Sequence, residues 1–239
     1  PMVMVAMLYP TTCVLCQAPG HDNLDLCTSC NVELPYIKHC CAICSQPLPE
    51  IIQPGTLCGS CQHHLPAFDH CIAVLEYTKI VSHLIKGFKF NHNLAYGRLL
   101  GNLLANKLAS AWEQRYLMQP TNLRPECIIP VPLHFRRLRE RGFNQAQELA
   151  IMASKRLTLP IDNVGCVRIH NTTPQPGLTA KERSKNLNGA FRIRHPFPAC
   201  VAIVDDVMTS KATTNELAKT LKKSGVQRVE VWIVARVNS

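Results

Sequence analysis

From residue 71 onward, short apolar runs alternate with stretches of helical spacing. CIAVLEY (71–77) has the character of a strand, and KIVSHLIKGFKF (79–90) has helical spacing with a basic side. Leu94, Leu99, Leu100, Leu103, Leu104, Leu108 and Trp112 then mark one face of a longer helix. Cys127 to Val131 is a continuous apolar run ending in Pro130-Val131-Pro132, followed by a helix from about Asn144 to Leu157 and a short strand near Val167 to Ile169. Beyond the polar segment 170–190 come a strand at 201–204, a helix over about 212–224 carrying Leu217, Ala218 and Leu221, and a last strand, Val229 to Val237. Strands alternating with helices predict an α/β fold with a mostly parallel sheet covered on both faces. Ligands of such sheets gather at the carboxyl ends of the strands. The stretches VPLHFRRLRERGFNQ, 170–190 and VAIVDDVMTSKATT (201–214) all fall there.

Ahead of Pro66 the pattern is set by cysteine. Nine of the thirteen cysteines lie within residues 13–61, and four pairs have two residues between them: Cys13/Cys16, Cys27/Cys30, Cys41/Cys44 and Cys58/Cys61. That gap lets a tight turn aim both sulfurs at one ion, and four thiolates complete the tetrahedral shell of structural zinc. Two four-cysteine sites follow, so the chain divides into a zinc-binding module, 1–66, and a larger domain, 67–239. Disulfides fit less well, because so short a stretch broken by Gly and Pro cannot build a core without a metal. Sequential pairing resembles a double zinc ribbon, and an interleaved cross-brace stays open. Cys40 is a competing ligand to Cys41, but only Cys41 stands at the two-residue gap from Cys44. His39, His63 and His64 are expected near the sites without ligating. Cys71, Cys127, Cys166 and Cys200 lie in apolar segments as small buried hydrophobes.

A net charge of +10 is unevenly spread. Residues 131–200 hold twelve basic and four acidic side chains, whereas residues 1–130 hold eight of each. Arg136, Arg137, Arg139 and Arg141 form one group; Lys181, Arg183, Lys185, Arg192 and Arg194 form another. Such clusters favour a polyanion, though a run of charge alone also fits a solvated face. The opening PMVMVAMLYP lacks a basic flank and falls short of the about 20 residues that span a bilayer, so no membrane span and a cytoplasmic location are expected.

The stretch 201–214 places Asp205 and Asp206 after an apolar strand, then Thr209, Ser210, Lys211, Ala212 and Thr213 at a helix start. Backbone N–H groups and hydroxyls at a helix start attract an anion, whereas paired carboxylates take sugar hydroxyls or a metal-bridged diphosphate. Together they suggest a ligand part sugar and part phosphate. An ordinary strand-to-helix turn with an Asp near the cap is the plainer alternative.

Residues 201–214 also resemble the phosphoribosyl diphosphate (PRPP) loop of type I phosphoribosyltransferases, two acidic residues after a strand and then a Thr-Thr-Gly-x-Thr-like turn. The whole chain is similar to the ComF family of competence-associated proteins. It carries, in order, the cysteine pairs, IIPVPLHFRRLRERGFNQAQELA (128–150), NTTPQPGLTAKERSKNLNGAF (171–191) and the PRPP-type loop. The resemblance implies a type I phosphoribosyltransferase-like domain behind the ribbons. It implies that Asp205 and Asp206 hold the ribose hydroxyls, that Thr209 to Thr213 cradle the 5′-phosphate, and that Pro132 and His134 face the diphosphate. It further implies that 171–188, with Lys181, Arg183 and Lys185, covers the site, with Mg²⁺ needed if PRPP binds. One departure stands out: Lys211 occupies the family's glycine position, where a side chain restricts the backbone curl or else supplies an ammonium to the anion. No residues mark a nucleobase pocket.

Two function classes are therefore expected. The first is a competence-associated cytoplasmic protein that assists uptake of single-stranded DNA in natural transformation. It would use Arg136, Arg137, Arg139 and Arg141 on the nucleic acid and a PRPP-like site for a phosphorylated ribose, with a competence helicase or another transformation protein as partner. The second is an active phosphoribosyltransferase in base or nucleotide salvage.

Overall fold

The computed structural model describes residues 11–117, 124–171 and 187–238. Two short helices, α1 (Thr28–Glu33) and α2 (Gly59–His63), punctuate the cysteine-rich part. They are followed by β1 (His70–Glu76), α3 (Lys79–Phe90), α4 (Leu94–Trp112) with a π-helical turn over Glu113–Leu117, β2 (Cys127–Pro130), α5 (Phe135–Arg141) and α6 (Gln145–Leu157). The chain continues through β3 (Cys166–Arg168), β4 (Phe191–Ile193), β5 (Cys200–Met208), α7 (Ala212–Lys223) and β6 (Arg228–Arg236). β1, β6, β5 and β2 lie side by side in that order, all parallel.

The continuous apolar runs of the strands reflect burial on both faces. On one face Val201, Ile203, Val231 and Ile233 pack with Leu217, Ala218 and Leu221 of α7. On the other, Ala202, Val204, Trp232 and Val234 meet Leu84 and Phe88 of α3, Leu99, Leu100 and Leu104 of α4 and Leu149 of α6. Gly97 lets α3 and α4 approach closely, since a Cβ there would come 2.3 Å from the Phe88 ring.

The cysteine-rich part grips the edge strand β1. Ile37 donates its N–H to the Val74 carbonyl at 3.0 Å, and Glu76 donates to the Pro35 carbonyl at 2.8 Å, so Pro35–Ile37 covers an edge that would otherwise be open. Cys13 and Leu26 join the helical-face core, while Cys41, Cys44, Cys58 and Cys61 join the α7-face core. The two halves thus straddle the sheet.

Three expectations need correction. β5 does not stop at Val204. Its pairing with β6 continues through Val207↔Ala235 and Met208↔Arg236, so both carboxylates sit inside the strand. The short strand expected in a parallel sheet at 167–169 instead forms an antiparallel ribbon, with Val167 opposite Arg192. Helix α5 follows β2 where only a loop was expected. It has no buried residue, so it leaves no periodic apolar signal. Among the described residues, no helix is long and apolar enough to cross a membrane.

Candidate ligand and nucleic-acid site

The eight paired cysteines assemble as two tetrads, Cys13/Cys16/Cys27/Cys30 and Cys41/Cys44/Cys58/Cys61, with the sulfurs of each within 4.8 Å of one another. Pairing is sequential, not interleaved. Each tetrad is built alike. The first pair wraps a turn in which Gln17 or Ser45 donates its N–H to the carbonyl of Cys13 or Cys41, at 2.9 and 3.1 Å. Gln17 and Ser45 carry φ of 65° and 51°, a left-handed step that closes the turn around the sulfurs. The second pair lies at a short helix start, with Cys27 and Cys58 as N-caps of α1 and α2. Burial raises the Cys13 thiol, yet backbone N–H groups of Cys27, Leu15 and Cys16 outweigh it and bring the group down to about 6. The same balance takes Cys41 to about 7. Cys16, Cys30, Cys44 and Cys61 are raised instead, and it is the close four-sulfur geometry of each set that fits structural zinc. Cys40 stands outside both tetrads, half-buried against the core. Cys71, Cys127, Cys166 and Cys200 are buried, and burial pushes the last three up to about 12, which keeps them inert thiols.

At the carboxyl end of the sheet, β5 presents Asp205 and Asp206 to opposite sides, as strand alternation requires. Asp206 shares the side of Ala202 and Val204, where Lys89 of α3 forms an ion pair with it. Each carboxylate accepts the N–H of the following residue, Asp206 N to Asp205 Oδ1 and Val207 N to Asp206 Oδ1, both at 2.9 Å. Burial, then the charge of Asp206, push Asp205 up to about 7.

The loop Thr209–Lys211 then delivers the chain into α7, whose N-cap is Lys211 itself. Lys211 has φ 64° and ψ −4°, the left-handed conformation that glycine adopts without cost. The backbone curl is therefore kept despite the side chain. The ammonium donates to Ser60 Oγ at 2.8 Å, with Cys61 Sγ at 3.7 Å. Arg236, buried in the core, fixes the loop from beneath. Its guanidinium donates to the carbonyls of Met208 and Thr209, at 3.0 and 2.6 Å, and to Cys44 at 3.3 Å. Thr214 closes the turn by donating its hydroxyl to the Lys211 carbonyl at 3.1 Å.

Across from the loop, the segment after β2 is held by Asn144, whose side chain donates to the Val131 carbonyl at 3.1 Å. Pro132 is half-buried there, and His134 is buried as the N-cap of α5, accepting from Arg136 N at 3.4 Å. Burial and the charges of Arg136, Arg168 and Arg137 hold His134 below the ordinary histidine range. Arg137 is likewise lowered, by burial and Arg141, and Arg168 by burial and Arg137 while Asp205 opposes. Cations that depress one another in this way raise the positive potential around the segment after β2.

On the outer surface of α5, Arg136 and Arg139 lie over the exposed Phe135 ring, at 6.0 and 5.8 Å, and Arg141 lies over the exposed Phe90 ring at 5.4 Å. Phe143 is no surface platform; it packs on Phe88, centroids 5.4 Å apart. Phe90 also lines a cleft of about 210 Å³ with His83, Lys86, Gly87, Asn91, Asn93 and Tyr96. Lys181, Arg183 and Lys185 lie outside the described residues. Lys89, Arg168 and Phe90 were missed from the sequence. Each sits in an apolar or helical run where only the packing shows which way it points.

Residues 4–62 match the double zinc ribbon domain family. Over 215 residues the chain is 36% identical to Competence protein F of Haemophilus influenzae, covering 88% of this chain and 84% of that protein. It is 32% identical over 232 residues to DNA utilization protein YhgH of Escherichia coli K12, with 95% and 97% covered. To YhgH of Salmonella typhimurium it is 30% identical over 225 residues, with 94% and 89% covered.

Proposed function

The chain belongs to the ComF family of competence-associated proteins, and from that premise we propose that it handles incoming single-stranded DNA in the cytoplasm during natural transformation. The carrying observation is the surface formed by α5 and the end of α3, where Arg136 and Arg139 lie over the exposed Phe135 ring and Arg141 over the exposed Phe90 ring. Guanidinium groups neutralise phosphates and exposed rings stack bases, a combination that binds single strands with little sequence preference. The cleft beside Phe90 offers room for a base off the strand, with Asn91, Asn93 and Lys86 among its lining residues. Thiolate tetrads need reduced cysteines, which supports the cytoplasmic location.

At the inner site, the loop Thr209–Thr213 takes the phosphate of a phosphorylated ribose, and the strand before it offers the ribose hydroxyls Asp205 on one side and, once its pair with Lys89 opens, Asp206 on the other. Arg137, Arg168 and His134 provide the positive potential for a diphosphate, and Mg²⁺ would supply the remaining charge neutralisation when PRPP is bound. A helicase or another transformation protein would receive the strand beyond α5.

Fluorescence titration of an oligothymidylate over a salt series tests the DNA reading. Each phosphate neutralised on single strands contributes about −0.7 to the slope of log affinity against log salt, so an Arg136→Gln/Arg139→Gln double variant should flatten it by about 1.4. An unchanged slope would overturn the assignment to α5. The retained β5–loop–α7 geometry favours a second reading, transfer of phosphoribose to a base. Release of diphosphate from PRPP in the presence of candidate bases distinguishes it, since strand binding alone releases none.

A further inference from the structure

The second cysteine tetrad and the phosphate-type loop are joined by two side chains. Lys211 reaches from the loop to Ser60 and Cys61, while Arg236 holds the carbonyls of Met208 and Thr209 together with that of Cys44. Ser45 anchors the tetrad separately to β1 by donating to the Cys71 carbonyl at 2.6 Å. All four sulfurs of this tetrad are buried, whereas Cys16 of the other is exposed. Four thiolates around one zinc ion leave about two negative charges, and in a buried setting these need nearby cations. Lys211 is such a cation, and its position in the chain is the one that most constrains the loop. Holding it in the left-handed region is costly for a residue with a side chain. Its contact with the tetrad offsets that cost.

We propose that the second tetrad and the Thr209–Lys211 loop act as one unit, in which Lys211 links zinc occupancy to the shape of the loop, and a bound anion to retention of the zinc. Linkage makes the effect reciprocal. Without zinc, the ammonium loses its counter-charge and the loop its outer anchor. With a phosphate in the loop, the curl at Lys211 is fixed, and so is its reach to Cys61. The proposal rests on the inner-site reading only for the identity of the anion; the zinc-to-loop coupling stands on the contacts themselves.

The test uses the full-length, zinc-loaded protein. In Lys211→Met, which removes the charge and keeps the side-chain bulk, one of the two zinc ions should pass to a chromogenic chelator at least about tenfold faster and the other at the parental rate, as expected when a partner of a ligating residue is lost. Amide exchange over residues 208–214 should rise in the same variant. Lys211→Arg should restore both. Parental zinc release and parental exchange in Lys211→Met would overturn the proposal, as would equal acceleration of both ions. Titration with ribose 5-phosphate separates the two ideas. If the variant shows the zinc and exchange effects but the parent binds no ribose 5-phosphate, the ligand reading fails and the coupling stands. If ribose 5-phosphate binds the parent and slows neither zinc release nor exchange, the reciprocal half of the coupling fails and the ligand reading stands.

Discussion

Asp205 and Asp206 are neighbours in the chain with opposite surroundings, and each carries a prediction. Asp206 is tied to Lys89, whose side chain is 21% exposed. Lys89→Met should destabilise the fold by a few kcal/mol, at or below the about 3–5 typical of breaking a buried pair, because it leaves a carboxylate unpaired. Adding Asp206→Asn should recover much of that loss, as urea unfolding would show; equal destabilisation in single and double variants would refute the pairing. Asp205 behaves differently with pH. Its carboxyl titrates near 3.8 when unfolded and about 7 when folded, so between those values the folded state holds a proton that the unfolded state lacks. By linkage, stability then falls as pH rises from about 4 to 7 and levels off above. Asp205→Asn should flatten the decline, and a parental pH profile of urea midpoints would contradict it. For binding, Asp206→Asn should weaken PRPP by the about 1.5–3 kcal/mol of a charge-assisted hydrogen bond, read by calorimetry with magnesium present.

At the scale of elements, α5 and the tetrads differ in what holds them. Helix α5 has no fully buried residue and ends at Gly142, φ 74°, and its Phe135 is exposed. Phe135→Ala should therefore leave the melting temperature within about 2 °C while weakening oligothymidylate binding by about 1–3 kcal/mol per stacked base. Loss of folding in that variant would contradict the surface role. In the ribbons the chemistry is inseparable from structure. Cys41→Ser should cost one equivalent of zinc, and Cys40→Ser none, by native mass spectrometry, because only the former belongs to a tetrad. The spacing of the pairs was legible in the sequence; helix α5 was not, since a seven-residue helix with no fully buried position has neither periodicity nor length to announce it.

Across the whole molecule, the metal sites are part of the main cores, not an appendage beside them. Cys13 and Leu26 pack with Leu99 and Trp232, and Cys44 and Cys61 pack on the other face with Ile233 and Ala73. Chelation of both zinc ions should then lower the melting temperature of the entire chain in one cooperative transition. A calorimetric trace in which only a minor early transition moves would show that the ribbons unfold alone.

The sequence alone determined the local terms. Two-residue gaps between thiols prescribe metal turns, apolar runs of strand length prescribe a doubly covered parallel sheet, and a hydroxyl-rich stretch after two carboxylates marks the passage from a strand into a helix. Those properties depend on residues a few positions apart. What tertiary structure decided were the long-range partners: Lys89 for Asp206, Arg168 beside Asp205, Arg141 on Phe90, and above all Lys211 directed at Cys61 across 150 residues. A long cationic side chain can point to any of several neighbours, and its choice depends on which charges the packed elements bring within reach. No spacing rule encodes that choice, because it is set by the fold of the sheet and by the two ribbons lying on its opposite faces.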